Sequence, residues 1–355
     1  DGQRPWQIDQ RPGQPDPEAQ WRQWDPGTIP SGDLYGQGTP AGICFYENGA
    51  LPSKYSGLLA SCDTARGVVL GYFPSPQKSG FKLERFDFIK ARAKTGIRPS
   101  DLMVGADGAL YLADGFDLEN EGQRGEGTQR SATIYRIAPE GFQPRIPAPS
   151  GDPIEEAIAL LSSPAHNVRH AGFETLRAAG EKALPAVRDL LGHYNGYLQA
   201  RAVWLLPHLG EEGQRLAKSL LDSPDALTRL LAFRSLRNAG ENPLGEISKF
   251  YVNEPSAAVR REVALALRDV DPQRKSTYLG YFLRRCSVSD RTSLEACGLA
   301  AEGAEDLVWA RLKSMAEITQ ALEWPRSGVR KPDTYTNLYG LSFPNRLVAD
   351  YYTDT

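Results

Sequence analysis

The chain has 355 residues, with 41 Lys and Arg against 44 Asp and Glu and a net charge of −3. That near balance argues against a protein that binds nucleic acid by neutralising phosphates. With 41% hydrophobic and 24% charged residues it reads as a globular chain of about two or three domains, and no apolar run approaches the ~20 residues of a membrane helix.

Residues 1–40 hold seven prolines and six glycines beside Trp6, Trp21 and Trp24. Proline lacks an N–H and biases the preceding residue towards extended geometry, so this stretch propagates no helix. Large aromatics are unusual in disordered tails. The segment reads as an extended arm whose tryptophans dock on a neighbouring surface, with a flexible linker as the alternative. The chain begins at Asp1 with no visible leader, so it reads as a mature product or as a piece of something longer.

Residues 41–140 read as about seven short strands between Gly, Pro and Asp punctuation. They are AGICFYE, SGLLASCD, GVVLGYF, FKLERFDFI, DLMVGAD, ALYLAD and ATIYRIA. Polar and apolar residues alternate in KLERFDF, as in a half-buried antiparallel strand. Ala106-Asp107-Gly108 is a hairpin signal, because Gly supplies the positive φ such a turn needs. The pattern suits a small sandwich or about two four-stranded propeller blades. Residues 118–131 read as a polar inserted loop. A Pro-rich stretch ends in the linker 141–152, the clearest domain boundary.

From 153 the period changes from 2 to 3.6 and a repeat appears. NVRHAGFETLRAAG (167–180), YLQARAVWLLPHLG (197–210), LTRLLAFRSLRNAG (227–240) and AVRREVALALRDVD (258–271) align, with a divergent fifth copy from Ser289. Their third residues are Arg169, Gln199, Arg229, Arg260 and Arg291, spaced by 30, 30, 31 and 31 residues. Leu176, Leu206, Leu236 and Leu267 share one column, and Gly180, Gly210 and Gly240 close three copies where a left-handed cap is expected. A second amphipathic stretch precedes each copy, including ALPAVRDLL, QRLAKSLL and PLGEISKFYV. Two helices per ~30 residues, stacked over 153–323, form an α-solenoid that resembles short HEAT-like repeats. The periodic arginines are interaction candidates on such a surface; the alternative is a ladder to carboxylates of adjacent repeats. The tail 324–355 carries Trp324, Tyr335, Tyr339, Tyr351 and Tyr352, and reads as an ordered segment packed back on the protein.

Asp107, Asp114 and Asp117 form D-G-x-L-Y-x-x-D-x-x-D, whose oxygens can hold Ca²⁺. Turn and strand-end caps are the alternative for Asp107 and Asp114. Cys44 and Cys62 fall on neighbouring strands, and Cys286 and Cys297 on neighbouring helical segments. Either pair can bridge in an oxidising compartment or stay as buried thiols. No CxxC or CxxCH occurs, so the chain has no zinc ribbon, thioredoxin motif or c-type haem attachment site.

The phrases GTPAGICFYENGALPSKYSGLLASCD, IRPSDLMVGADGALYLADGFD and ATIYRI resemble the last blades of the six-bladed glucose/sorbosone dehydrogenase propeller. With the arm phrase PWQIDQRPGQPDPEAQWRQWDPGTIPSGDLYG and the repeats, residues 1–315 resemble planctomycete-type membrane-bound dehydrogenases. In these a dehydrogenase-like propeller precedes HEAT repeats and a cytochrome c domain. The resemblance implies a partial propeller followed by a solenoid, a periplasmic setting, PQQ and Ca²⁺ as cofactors, and a c-type cytochrome or upstream blades as partners. The family's R-x-R-D phrase corresponds here to Arg98-Pro99-Ser100-Asp101, so Arg98 and Asp101 are the cofactor candidates. They are otherwise an Arg–Asp pair fixing the strand turn. The family's early-blade catalytic His has no counterpart, since His166, His170, His193 and His208 all fall in the repeats.

Two functions compete. One is a scaffold that binds protein partners through the concave solenoid face. The other is part of a quinoprotein sugar or alcohol dehydrogenase passing electrons to cytochrome c. A polysaccharide-binding module stacking sugars on Trp6, Trp21 and Trp24 is a third reading.

Overall fold

The structure is a computed structural model. It describes residues 32–33, 38–91, 97–115, 132–144, 150–241, 253–287 and 289–314, with the short strand pair Tyr335–Thr336 and Ser342–Phe343. Trp6, Trp21, Trp24, Asp117, the loop 118–131, PLGEISKFYV and nearly all of the tail lie outside the described residues.

Antiparallel sheets occupy the N-terminal side and helices follow. The first sheet joins β1 (Pro40–Tyr46), β2 (Leu58–Asp63), β3 (Val68–Tyr72) and β6 (Arg85–Lys90) in that order. A small hairpin of β4 (Ser75–Gln77) and β5 (Gly80–Lys82) interrupts it. The second sheet joins β7 (Pro99–Val104), β8 (Leu110–Asp114) and β9 (Thr133–Ile137). The seven expected strands are therefore present, but FKLERFDFI is not one strand. Its first residues pair back as β5, the chain breaks at Leu83-Glu84, and β6 alone pairs with β3. Among the described residues neither sheet closes into a barrel or a propeller ring.

The sheets bury one shared core around Tyr46, Leu58, Cys62, Val69, Leu102 and Leu110. Strands β1 and β7 approach so closely that a Cβ on Gly42 would come within 2.6 Å of Asp101 Cα. The β7–β8 turn is as the sequence suggests, with Gly108 at φ 83° and its N–H bonded to Gly105 O. The register places Cys44 opposite Ala60 and Cys62 opposite Val69, and all four cysteines are free thiols.

Ten helices are described: α1 (Pro153–Leu160), α2 (His166–Ala179), α3 (Leu184–Asp189), α4 (Gly196–Leu205), α5 (Gly210–Ser219), α6 (Ala226–Asn238), α7 (Ala257–Ala266), α8 (Pro272–Arg285), α9 (Arg291–Ala301) and α10 (Glu305–Ser314). Their starts follow from short polar caps. Asp152, Asn195, Asp225, Ser256, Asp271 and Asp290 each accept from a backbone N–H of the first turn, satisfying donors that a helix end leaves open. Leu176, Leu206, Leu236 and Leu267 are all fully or almost fully buried. Gly180, Gly210 and Gly240 all take positive φ.

The chain divides into two compact units. One comprises Tyr35–Ser75 and Lys82–Ala217, the other Pro76–Phe81 with Lys218–Thr355 and the N-terminal Asp1–Leu34. The division at Ala217 falls inside α5, so both sheets share a unit with α1 to α4. Within the first unit α1 packs on α2 and α3, and α2 on α4. Within the second, α7 packs on α6 and α9, and α8 on α9 and α10. In both units a helix packs against the helix two places further along, α1 on α3, α2 on α4, α7 on α9 and α8 on α10. No described helix is long and apolar enough to cross a membrane.

Candidate functional site

Asp107 stands in the β7–β8 turn. Its oxygens accept from the Ala109 N–H at 3.1 Å, the Tyr111 hydroxyl at 3.0 Å and Arg136 Nε at 2.8 Å. Partial burial raises its carboxyl, and the bonds from Arg136, Ala109 and Tyr111 outweigh this and hold it below its ordinary value. Asp114 lies at the far end of β8 and accepts from the Arg98 N–H at 2.7 Å. The two carboxylates cap opposite ends of one strand and do not converge. Asp117 lies outside the described residues. Among the described residues no group of three or more His, Cys, Asp or Glu gathers to hold a metal.

Arg98 and Asp101 flank the start of β7. Asp101 is exposed and bonds the N–H of its neighbour Leu102. Burial, helped by the Asp101 charge, pushes the Cys62 thiol up to about 12.

The periodic arginines share one geometry that the sequence reading did not extract. Arg169 Nη1 donates to the carbonyls of Ser163 and Pro164, both at 2.8 Å. Arg229 Nη1 does the same to Ser223 at 2.7 Å and Pro224 at 3.1 Å. Arg260 Nη1 reaches Glu254 and Pro255, both at 2.8 Å. Each arginine is the fourth residue of its helix and clamps the carbonyls five and six residues back, the nearer one always a proline. The clamp is thus a Pro-x4-Arg motif, visible as PAHNVR, PDALTR and PSAAVR. Proline contributes an extended entry to the helix, and the guanidinium satisfies carbonyls that the turn leaves open.

The second and fifth copies depart from it. The second has Gln199 in place of Arg and His193-Tyr194 in place of the x-Pro pair. Tyr194 is 95% exposed and its ring stacks on His193. In the fifth, Arg291 is the first residue of α9, not the fourth, so the copy starts three residues later than the alignment on arginine implies. Arg291 is buried and pairs with Glu295 at 3.2 Å.

Two buried carboxylates complete this network, and neither was singled out by the sequence. Glu254 takes Arg229 through two bonds, Nε at 2.9 Å and Nη2 at 2.8 Å, and also accepts from the Ser256 N–H. Glu47, in the turn after β1, is 4% exposed. Arg201 grips both its oxygens and also bonds the Leu161 carbonyl at 3.0 Å. Arg169 stands 4.0 Å from the same carboxylate. Around it the Ser56 hydroxyl holds the Glu47 carbonyl, Asn48 bonds the Ser162 carbonyl, and Phe45 packs edge-on against Tyr197. The β1–β2 turn and the α1–α2 turn are thereby locked together by charge.

Chemically, this set of arginines and carboxylates binds and orders the chain itself. Arg169, Arg201, Arg229 and Arg260 all direct donors at carbonyls or carboxylates of their own unit. No family model matches this chain, and no curated protein shows significant similarity to it.

Proposed function

We propose that the chain is an interaction scaffold in which a stack of HEAT-like helix pairs, an α-solenoid, is joined to two blade-like sheets of dehydrogenase-propeller type. The observation that carries the reading is the recurrence of the Pro-x4-Arg clamp at a spacing that matches the helix pairs. A stack of like units presents one extended surface, which suits protein partners better than a closed pocket does. The inward arginines leave that surface to other side chains, and Tyr194 protrudes where the clamp is missing. Amphipathic aromatics of this kind anchor protein interfaces. A setting outside the cytoplasm, with a c-type cytochrome or further blades as partner, belongs to the same reading and rests on the resemblance in 1–315.

The competing reading is a quinoprotein dehydrogenase, and one assay separates the two. The full chain is incubated with PQQ and Ca²⁺, and dye-linked oxidation of aldoses and alcohols is followed. The scaffold reading predicts no quinone-dependent rate. A rate that saturates with PQQ and falls at least ~10-fold in Arg98→Ala, equivalent to about 1.4 kcal/mol of barrier, would overturn it.

A further inference from the structure

The chain has four histidines, and two of them, His166 and His170, are the first and fifth residues of α2. Four residues make just over one helical turn, so both imidazoles project from one ridge with their Cβ atoms about 5–6 Å apart. Both are exposed, while Gly172 and Leu176 carry the buried face of the helix. Among the described residues neither imidazole makes a hydrogen bond. The other units do without them. The first position is Gly196, Ala226 and Ala257 in α4, α6 and α7, and the fifth is Ala200, Leu230 and Arg261. The shared fold of the helix pairs therefore calls for neither histidine.

We propose that His166 and His170 form a two-imidazole site on the α2 ridge for a divalent first-row transition ion of the Ni²⁺, Cu²⁺ and Zn²⁺ group.

Imidazole nitrogen is a ligand these ions share. On a tetrahedral ion with metal–nitrogen bonds of about 2.0–2.1 Å, two ligating nitrogens stand about 3.3 Å apart. Side chains rising from Cβ atoms about 5–6 Å apart close to that separation by rotation about χ1 and χ2, and exposure leaves both free to rotate. Two protein ligands leave the remaining positions to water. The site is therefore an open surface chelate, distinct from the three-ligand cluster that the described residues lack.

The surroundings act on a cation in both directions. The N-terminus of α2, beside His166, is the positive end of the helix and opposes it. Glu174 lies one turn beyond His170, and its charge faces both His170 and His208. It favours a cation at His170 without sharing that ion with His166, which is about 12 Å away along the axis. Its Oε2 is taken by Arg177, through Nε at 2.9 Å and Nη2 at 2.6 Å. His208, whose ring meets Phe173 edge-on at 6.4 Å, stands at the Glu174 end of the ridge and is no part of the chelate.

The test titrates Zn²⁺ into the folded full chain by calorimetry, for the wild type and for His166→Ala, His170→Ala and His193→Ala. The wild type is expected to bind the ion saturably and to release it to EDTA. His166→Ala and His170→Ala should each bind it at least ~10-fold more weakly. His193→Ala should bind as the wild type does, since its Nδ1 already accepts from the Asn195 N–H at 3.0 Å. A fourth variant, His170→Gln with Ala171→His, keeps the histidine count and breaks the spacing, and should lose as much as His170→Ala. Positions 166, 170 and 171 are all exposed, so circular dichroism should show these variants folded. The proposal fails if the wild type shows no saturable binding, or if His166→Ala, His170→Ala or the shifted variant binds as tightly as the wild type. It fails equally if His193→Ala weakens binding as much as they do.

Discussion

Arg229→Ala is expected to lower stability by about 3–5 kcal/mol, the range for breaking a buried ion pair from one side. Both partners are almost fully buried, at 9% and 2% side-chain exposure. Losing the guanidinium leaves Glu254 charged and without its two-point partner. It also strips the Ser223 and Pro224 carbonyls of their donor. Urea unfolding followed by circular dichroism measures the effect. The paired change Arg229→Met with Glu254→Leu should recover at least half of the loss, because it removes the orphaned charge together with its partner. Arg177→Ala serves as the contrast. Its partner Glu174 is exposed, and such helix-surface pairs contribute about 0.3–0.5 kcal/mol. Equal losses for Arg229→Ala and Arg177→Ala would contradict the buried-clamp account.

The second large effect is at Glu47. Glu47→Ala removes the carboxylate between Arg201 and Arg169 and leaves two half-buried guanidinium groups facing one another. Burial already lowers Arg169. Glu47 now counters that, while the Arg201 charge lowers it further. Without Glu47 the two unfavourable influences lose their largest counterweight, and the expected cost is about 3–4 kcal/mol. Part of it is like-charge repulsion, which salt screens. Thermal melts of Glu47→Ala should therefore rise when salt goes from 0.05 to about 0.5 M, with the wild type moving much less. A variant as stable as the wild type, or one blind to salt, would show that the turn is held by packing alone.

The leucine column at 176, 206, 236 and 267 and the Gly108 turn were legible because each expresses a local rule. A 3.6-residue period selects the buried face of a helix, and a positive φ selects glycine. The role of the arginines was half legible. Their spacing stood out, and the expected carboxylate of an adjacent repeat is present for Arg229 in Glu254, but the acceptors shared by Arg169, Arg229 and Arg260 are carbonyls five and six residues back. The proline that marks them was in view and went unused. Aligning the fifth copy on its arginine misplaced it, since α9 begins three residues late and the helix cap, Asp290, is the better marker. Glu47 was not legible at all. A Glu in Tyr-Glu-Asn-Gly looks like an exposed turn residue, and its partner Arg201 is 154 positions away. Long-range charge pairs leave no periodic trace. The split of FKLERFDFI into two strands was hidden for a related reason. Alternation in sequence does not say which neighbour a strand finds, and β5 finds β4.

The central claim is that the helical half is built of like units, three of which are closed by the same clamp. The second unit lacks the clamp, so the most direct measurement installs it. Tyr194→Pro with Gln199→Arg creates Pro-x4-Arg at the register of the other copies. His193 already has the extended backbone, ψ 143°, that precedes a proline. If the units are equivalent, the double variant gains about 1 kcal/mol in urea unfolding, through a stiffer unfolded chain and a charge-assisted bond to two carbonyls. Arg169, Arg229 and Arg260 would then be elements of a repeat. A double variant that is less stable than the wild type, or no more stable, would contradict the claim and return those arginines to three unrelated contacts.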